Sequence, residues 1–283
     1  MPSTTIEKFG FELTVNTRFG LVESYRRGGV DILWPAAPGE PNPLTSAAYP
    51  LIPFSGRIGN AQFEFQDRKI ELPKNFPPEP HAIHGFSWEA DWEIYDQTNR
   101  AIHLVHDYKA AAWPWSYRAG QRFLVSEDGL HVFITLENRS ETDMPAGIGW
   151  HPFFPSSGAS ITADVSGYWP SEKSGVPKDP ASVPDEFDLR RVKQVEGLDL
   201  DHCFQAGREG ALIDYRFRKV RISYSEVFTQ FIVYNPADEG FFCAEPVSHS
   251  PDAANSTHSP DVTGWRTLAP GEMMSGLIRM VVS

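Results

Sequence analysis

Five polar side chains sit in unusual company along this chain. Glu245 lies near the end of the run Phe241-Phe242-Cys243-Ala244-Glu245-Pro246. An apolar run of this length, closed by Pro, predicts a buried strand, and the run Phe228–Asn235 before it predicts another. A strand that buries Phe241, Phe242 and Cys243 gains nothing in stability from a carboxylate, because removing an ionised group from water is costly without specific compensation. Two readings follow: a catalytic carboxylate, or a glutamate at the strand's wet end paired with an arginine. His151 stands in Gly149-Trp150-His151-Pro152-Phe153-Phe154, His84 in His81-Ala82-Ile83-His84-Gly85-Phe86, Asp201 in Asp199-Leu200-Asp201-His202-Cys203-Phe204, and Arg57 in Phe54-Ser55-Gly56-Arg57-Ile58-Gly59-Asn60.

The chemistry open to these residue types is proton transfer. An imidazole titrates near neutrality and is the commonest general acid or base. A carboxylate facing it across one substrate would complete an acid–base pair. Trp150, Phe153 and Phe154 are expected to form an aromatic wall around His151, suited to a sugar face or to an ordinary core. Trp88, Trp150 and Phe242 are candidates for apolar packing against a ligand, core packing being the commoner use of any one aromatic. On residue type alone, Arg57 also reads as a surface ion pair and Asp201 as a turn or cap residue. His81 and His249 are expected at the rim of any such site, without a catalytic role.

Other chemistries find less support. His81 and His84 are three apart, but their segment does not read as helix, no Cys-x-x-Cys is present, and no metal is expected. There is no Gly-x-Ser-x-Gly nucleophile motif, phosphate-binding glycine loop or dinucleotide fingerprint. The formal charge of −12 opposes binding to nucleic acid or anionic lipid. The start of the chain does not resemble a secretory signal, and no apolar stretch is long enough to span a bilayer. Cys203 and Cys243 lie beside aromatic residues and read as buried thiols. These features together predict a cytoplasmic protein.

The elements that must position the five residues are strands. His131–Asn138, Val220–Ser225, Phe11–Val15 and Ala61–Phe65 alternate with period two, and Leu277–Val282 reads as a strand closing a sheet. Helical periodicity is absent, and 24 Pro and 22 Gly punctuate the strands as turns. The pattern is all-β, a sandwich or barrel of many short strands. No composition shift divides residues 1–283, so one domain is expected. Pro73–Pro80 reads as a loop leading to the histidine pair. Pro170–Asp188 reads as a long surface loop at a site rim or as a disordered insertion.

The ordered segments Gly56-Arg57-Ile58-Gly59-Asn60, His84-Gly85-Phe86, Gly149–Phe154, Asp201–Phe204 and Ala244-Glu245-Pro246 together resemble the aldose 1-epimerase (galactose mutarotase-like) family. The resemblance runs from about Arg57 to Asn255. It implies a mostly antiparallel β-supersandwich, cofactor-free interconversion of the α and β anomers of a free monosaccharide, Glu245 as catalytic base and His151 as catalytic acid. It further implies that His84, Arg57 and Asp201 bind the substrate. The chain departs from better-known members at Gly56-Arg57, where they carry Asn-Arg, and at His84-Gly85-Phe86, where they carry His-Gly-Gly; the segment around His151 also differs. It resembles a divergent bacterial branch, and hexose preference does not carry over. Two alternatives stay open: a sugar 6-phosphate 1-epimerase, which would need added basic residues at the rim, and a noncatalytic carbohydrate-binding protein on the same scaffold. The sequence does not set the oligomeric state.

Overall fold

The computed structural model describes residues 3–171, 175–177, 179–237 and 239–283. Among the described residues, seventeen strands join one sheet through antiparallel ladders. One run of neighbours passes from Glu93–Gln97 through Ala101–Tyr108, Tyr117–Val125, Gly129–Asn138 and Met273–Val282 to Lys219–Tyr224. A second run passes from Gln230–Asn235 through Phe241–Val247, Gly149–Pro155, Ala48–Leu51 and Leu21–Arg27 to Phe11–Asn16 and Ser3–Lys8.

The 15-residue strand Leu200–Asp214 joins the two runs. Its residues 211–214 pair with the 219–222 segment, and its residues 200–205 pair with Gln230–Asn235. Register breaks against Ser160–Trp169 fall between Ala163 and Gly167, opposite the middle of this long strand. Such irregularities bend a strand and increase its twist, so one strand serves both runs.

The core follows from alternation. Strand Gly129–Asn138 buries Leu130, Val132, Ile134 and Leu136, as its sequence predicts. These share one apolar cluster with Phe231, Val233, Phe242, Ala244, Trp150 and Phe154 from the second run. Successive side chains of a strand point to opposite faces. The intervening residues Ile232, Cys243, Phe153 and Val247 therefore emerge on the other face, where they form a second cluster with Tyr49, Leu51, Trp88 and Cys203. That second cluster floors the site.

Two expectations change here. Pro246 does not close its strand: Phe241–Val247 continues through it, with Pro246 opposite Phe231. Trp150 and Phe154 do not wall His151, and neither Trp150 nor Phe242 can pack on a sugar there. The two-residue period turns all three into the main core.

Candidate active site

Strand pairing brings His151 and Glu245 together. The register that sets Gly149 opposite Val247 and Phe153 opposite Cys243 puts His151 opposite Glu245. Nε2 of His151 lies 3.3 Å from Oε1 of Glu245. Both are buried, at 7% and 2% exposure. Glu245 therefore has an imidazole for its partner in the interior, and the alternative of a wet strand end paired with arginine does not hold.

The aromatic wall is built from other residues than sequence adjacency suggests. Tyr49, opposite His151 in the ladder between Ala48–Leu51 and Gly149–Pro155, stacks on the imidazole at 4.4 Å with the rings 19° apart. Phe153 packs against it at 4.7 Å, and His84 meets it edge-on at 5.5 Å. Trp88 touches Tyr49 and His84, at 5.6 and 5.9 Å. Tyr49 escaped the sequence reading. Its signal was a phenol in the small apolar run Ala47-Ala48-Tyr49-Pro50-Leu51.

His84 is held by backbone geometry. The short ladder of Arg57–Ile58 with Ala82–Ile83 brings Gly56 beside it. The His84 N–H donates to the Gly56 carbonyl at 2.9 Å, and the Gly56 N–H donates to His84 Nδ1 at 3.2 Å. The second bond requires an unprotonated Nδ1, so the neutral ring carries its proton on Nε2. Burial, reinforced by the charges of His151 and Arg57, holds His84 well below the usual imidazole range. It is a neutral donor.

Exposure rises around the buried pair: His84, Arg57 and Tyr234 are half-buried and Asp201 is exposed. Asp201 lies opposite Tyr234 in its ladder, and its charge acts on Glu245, Cys203 and Cys243. Among the described residues, its carboxylate has no hydrogen-bond or ion-pair partner. Arg57 donates from Nη2 to Oε1 of Glu79 at 3.0 Å, and among the described residues its buried Nε has no partner. Glu79 belongs to the 73–80 loop, which Asn75 ties down by exchanging two hydrogen bonds, both 2.9 Å, with the backbone of Ile83. From the other side, a Cβ added to Gly175 would meet Arg57 Nε at 3.3 Å. Both loops singled out in the sequence thus converge on Arg57, although residues 172–174 and 178 of the second lie outside the described residues. The sequence reading missed Glu79.

Three other histidines are accounted for. His81, buried, accepts the Asn60 N–H at Nδ1. His249, also buried, accepts the Ser55 N–H at Nε2 and bonds the Ser250 carbonyl through Nδ1. Both brace loops, and neither stands at a rim. His202 packs against Tyr168 and Phe187.

Burial dominates the electrostatics. It pushes the Glu245 carboxyl well above the usual carboxylate range, with Asp201 adding to the effect, and it lowers His151 to about 3. Near neutrality the two groups therefore hold one proton between them. Low dielectric favours its resting on Glu245, leaving a neutral pair. One proton transfer across the 3.3 Å contact converts this into carboxylate and imidazolium.

The chain belongs to the aldose 1-epimerase family, whose profile matches residues 2–280. The uncharacterized protein YphB of Escherichia coli K12 is 28% identical over 285 residues, covering 95% of this chain and 94% of YphB. A crystal structure of an Escherichia coli K12 protein provisionally described as an aldose 1-epimerase superposes with a TM-score of 0.90 at 25% identity, covering 100% of this chain and 99% of that one. A galactose mutarotase-like protein from Clostridium acetobutylicum shares the fold with a TM-score of 0.91 at 18% identity, over 100% and 98% of the two chains. The mostly antiparallel galactose mutarotase-like fold expected from the sequence is the fold observed.

Proposed function

We propose that the protein is an aldose 1-epimerase acting on a free, neutral monosaccharide. The observation that carries this reading is the buried His151–Glu245 contact of 3.3 Å, with His84 edge-on to the imidazole at 5.5 Å and the charge of the exposed Asp201 acting on the carboxyl. One group removes the proton from the anomeric hydroxyl and the other donates to the ring oxygen. The C1–O5 bond breaks with its electron pair passing to O5, and C1 becomes an aldehyde. Rotation about C1–C2 and reversal of both transfers closes the other anomer. In the charged form of the pair, Glu245 is base and His151 is acid. Net proton count is unchanged, so no cofactor enters the step. Arg57 and Asp201 hold sugar hydroxyls, and neutral His84 donates from Nε2. Tyr49 keeps the imidazole in plane.

Polarimetry on freshly dissolved α-glucose, α-galactose, α-xylose and L-arabinose tests this reading. Acceleration of mutarotation by the wild type supports it. Saturable binding without acceleration would instead mark a noncatalytic sugar-binding protein, and acceleration confined to phosphorylated sugars a sugar 6-phosphate epimerase.

The pairing of Arg57 with Glu79 favours the neutral substrate, since the guanidinium at this rim already has its counter-charge. Glu79→Gln should release it. The ratio of kcat/KM for a hexose 6-phosphate to that for the free hexose is expected to rise by about tenfold, the scale of one charge-assisted hydrogen bond. An unchanged ratio would show that Glu79 does not restrain Arg57.

The pH dependence follows from the shared proton. Activity needs one proton on the pair. On the acid side it is lost only when His151 takes up a second proton, near its lowered value of about 3. On the alkaline side it is lost when the remaining proton leaves, above the ordinary carboxylate range because Glu245 is raised. The neighbouring groups do not disturb this window: Asp201 raises Glu245 further, burial keeps the Tyr49 and Cys243 protons in place, and His84 stays neutral. With a chelator present, kcat/KM should be level from pH 7 down to pH 5, where an ordinary imidazole acid–base group would already change charge. An acid limb centred near pH 6 would contradict the assignment.

A further inference from the structure

Cys243 is one side chain at this floor that the epimerase chemistry leaves unused. It precedes Glu245 by two residues, so the strand period turns both side chains to the same face. One ligand atom each from His151, Cys243 and Glu245 falls within a sphere where all lie within 4.8 Å of one another, and all three residues are buried. A tetrahedral zinc-type ion binds imidazole nitrogen at about 2.0–2.1 Å, carboxylate oxygen at about 2.0–2.2 Å and thiolate sulfur at about 2.3 Å. Those bond lengths require nitrogen and oxygen roughly 3.4 Å apart. Nε2 of His151 and Oε1 of Glu245 are already 3.3 Å apart.

We propose that His151, Cys243 and Glu245 form a binding site for a borderline-soft divalent cation of the Zn²⁺ type, and that its occupation shuts the acid–base pair. The ligand set is chemically suited to that ion: one thiolate, one imidazole and one carboxylate. Charge balance points the same way. A thiolate and a carboxylate together carry two negative charges, which a divalent ion cancels. The buried cluster is then neutral overall, whereas either anion alone would pay the full cost of leaving water. Hard ions such as Mg²⁺ prefer all-oxygen surroundings and do not match a site with sulfur and nitrogen. Metal on Nε2 and Oε1 takes the lone pairs that move the proton, so the cation is an inhibitor that competes with the sugar. The site stands on the N–O spacing and on the proximity of the thiol, which would close to roughly 3.6 Å from both on binding, and it holds whether or not the protein is a mutarotase.

Cadmium provides the probe, because a Cd²⁺–thiolate bond adds an ultraviolet charge-transfer band. Cd²⁺ titrated into the metal-free protein is expected to raise that band to saturation at one equivalent, and Zn²⁺ to displace it. The band should vanish in Cys243→Ser and in Cys243→Ala and persist in Cys203→Ser, with circular dichroism confirming the fold of each. Cd²⁺ affinity should also fall in His151→Asn. Loss of an outer-shell partner alone typically costs about 10–100-fold in affinity, so loss of a direct ligand should cost at least that. In polarimetry, Zn²⁺ should raise the apparent KM for the sugar in the wild type. Absence of the band, its survival in both Cys243 variants, or its dependence on Cys203 would overturn the site. Absence of catalysed mutarotation with the band intact would count against the epimerase reading alone.

Discussion

Glu245→Gln and His151→Asn should each reduce the proposed mutarotation rate by roughly 10²–10⁴-fold, the share that one positioned acid or base contributes. The glutamine keeps the shape of the side chain and its ability to hydrogen-bond, but it can neither take up nor give back a proton. KM should therefore move by only a few-fold while kcat collapses. The buried setting helps to isolate the effect. Glu245 lies 3.3 Å from His151, so each replacement removes one member of a pair that works by exchanging a single proton. The double variant should be little worse than either single one, because groups acting as a unit lose their function together. Stopped-flow polarimetry or an aldehyde-trapping assay reads this directly. A Glu245→Gln protein retaining a third of the wild-type kcat would end the assignment of that carboxyl as a proton carrier.

The second large effect is on stability. Gly85 has φ +74, and an added Cβ would lie 2.1 Å from the Ile52 carbonyl oxygen and 2.6 Å from the Pro53 nitrogen. These are backbone atoms and cannot swing aside. Gly85→Ala should cost about 3 kcal/mol or more, combining left-handed strain with a main-chain collision, and lower Tm by roughly 5 °C or more. Gly271 offers the control: its φ is +76, but nothing lies within 4 Å of an added Cβ. Gly271→Ala should lose only the conformational part, about 1 kcal/mol. Equal Tm values for the two variants would show that the close approach at Gly85 is not rigid. Since His84 is the preceding residue and itself has φ +61, the Gly85 variant should also weaken sugar binding more than its stability loss explains.

The architecture was legible because the sheet is made of half-buried strands. Leu130, Val132, Ile134 and Leu136 are buried and alternate with the half-buried His131, Phe133, Thr135 and Glu137, and nothing in their surroundings competes with that pattern. Glu245 was legible for the opposite reason: it violates the composition of its strand. What misled was adjacency. Trp150, Phe153 and Phe154 are neighbours in the chain, but only Phe153 differs from His151 by an even number of positions, so it alone shares that face. Tyr49 and Glu79 reach the site through ladder register and loop closure, and neither leaves a periodic trace. His81 and His249 carry the residue type of a site but are committed to the backbone. Their ring nitrogens serve backbone N–H groups that have no strand partner, a demand visible only once the loops are folded.

One sheet supplies both the packed interior and the reactive floor, from alternate residues of the same strands. Change at the floor is consequently tethered to the interior: a shift in the path of Phe241–Val247 that re-aims Glu245 also displaces Phe242 and Ala244. Relatives that come to prefer different sugars are thus steered toward altering the two loops that meet at Arg57, at positions other than Phe76, Val183 and Phe187, which pack on the apolar clusters beneath. Diversity at the lip and constancy at the base is the evolutionary signature this arrangement imposes.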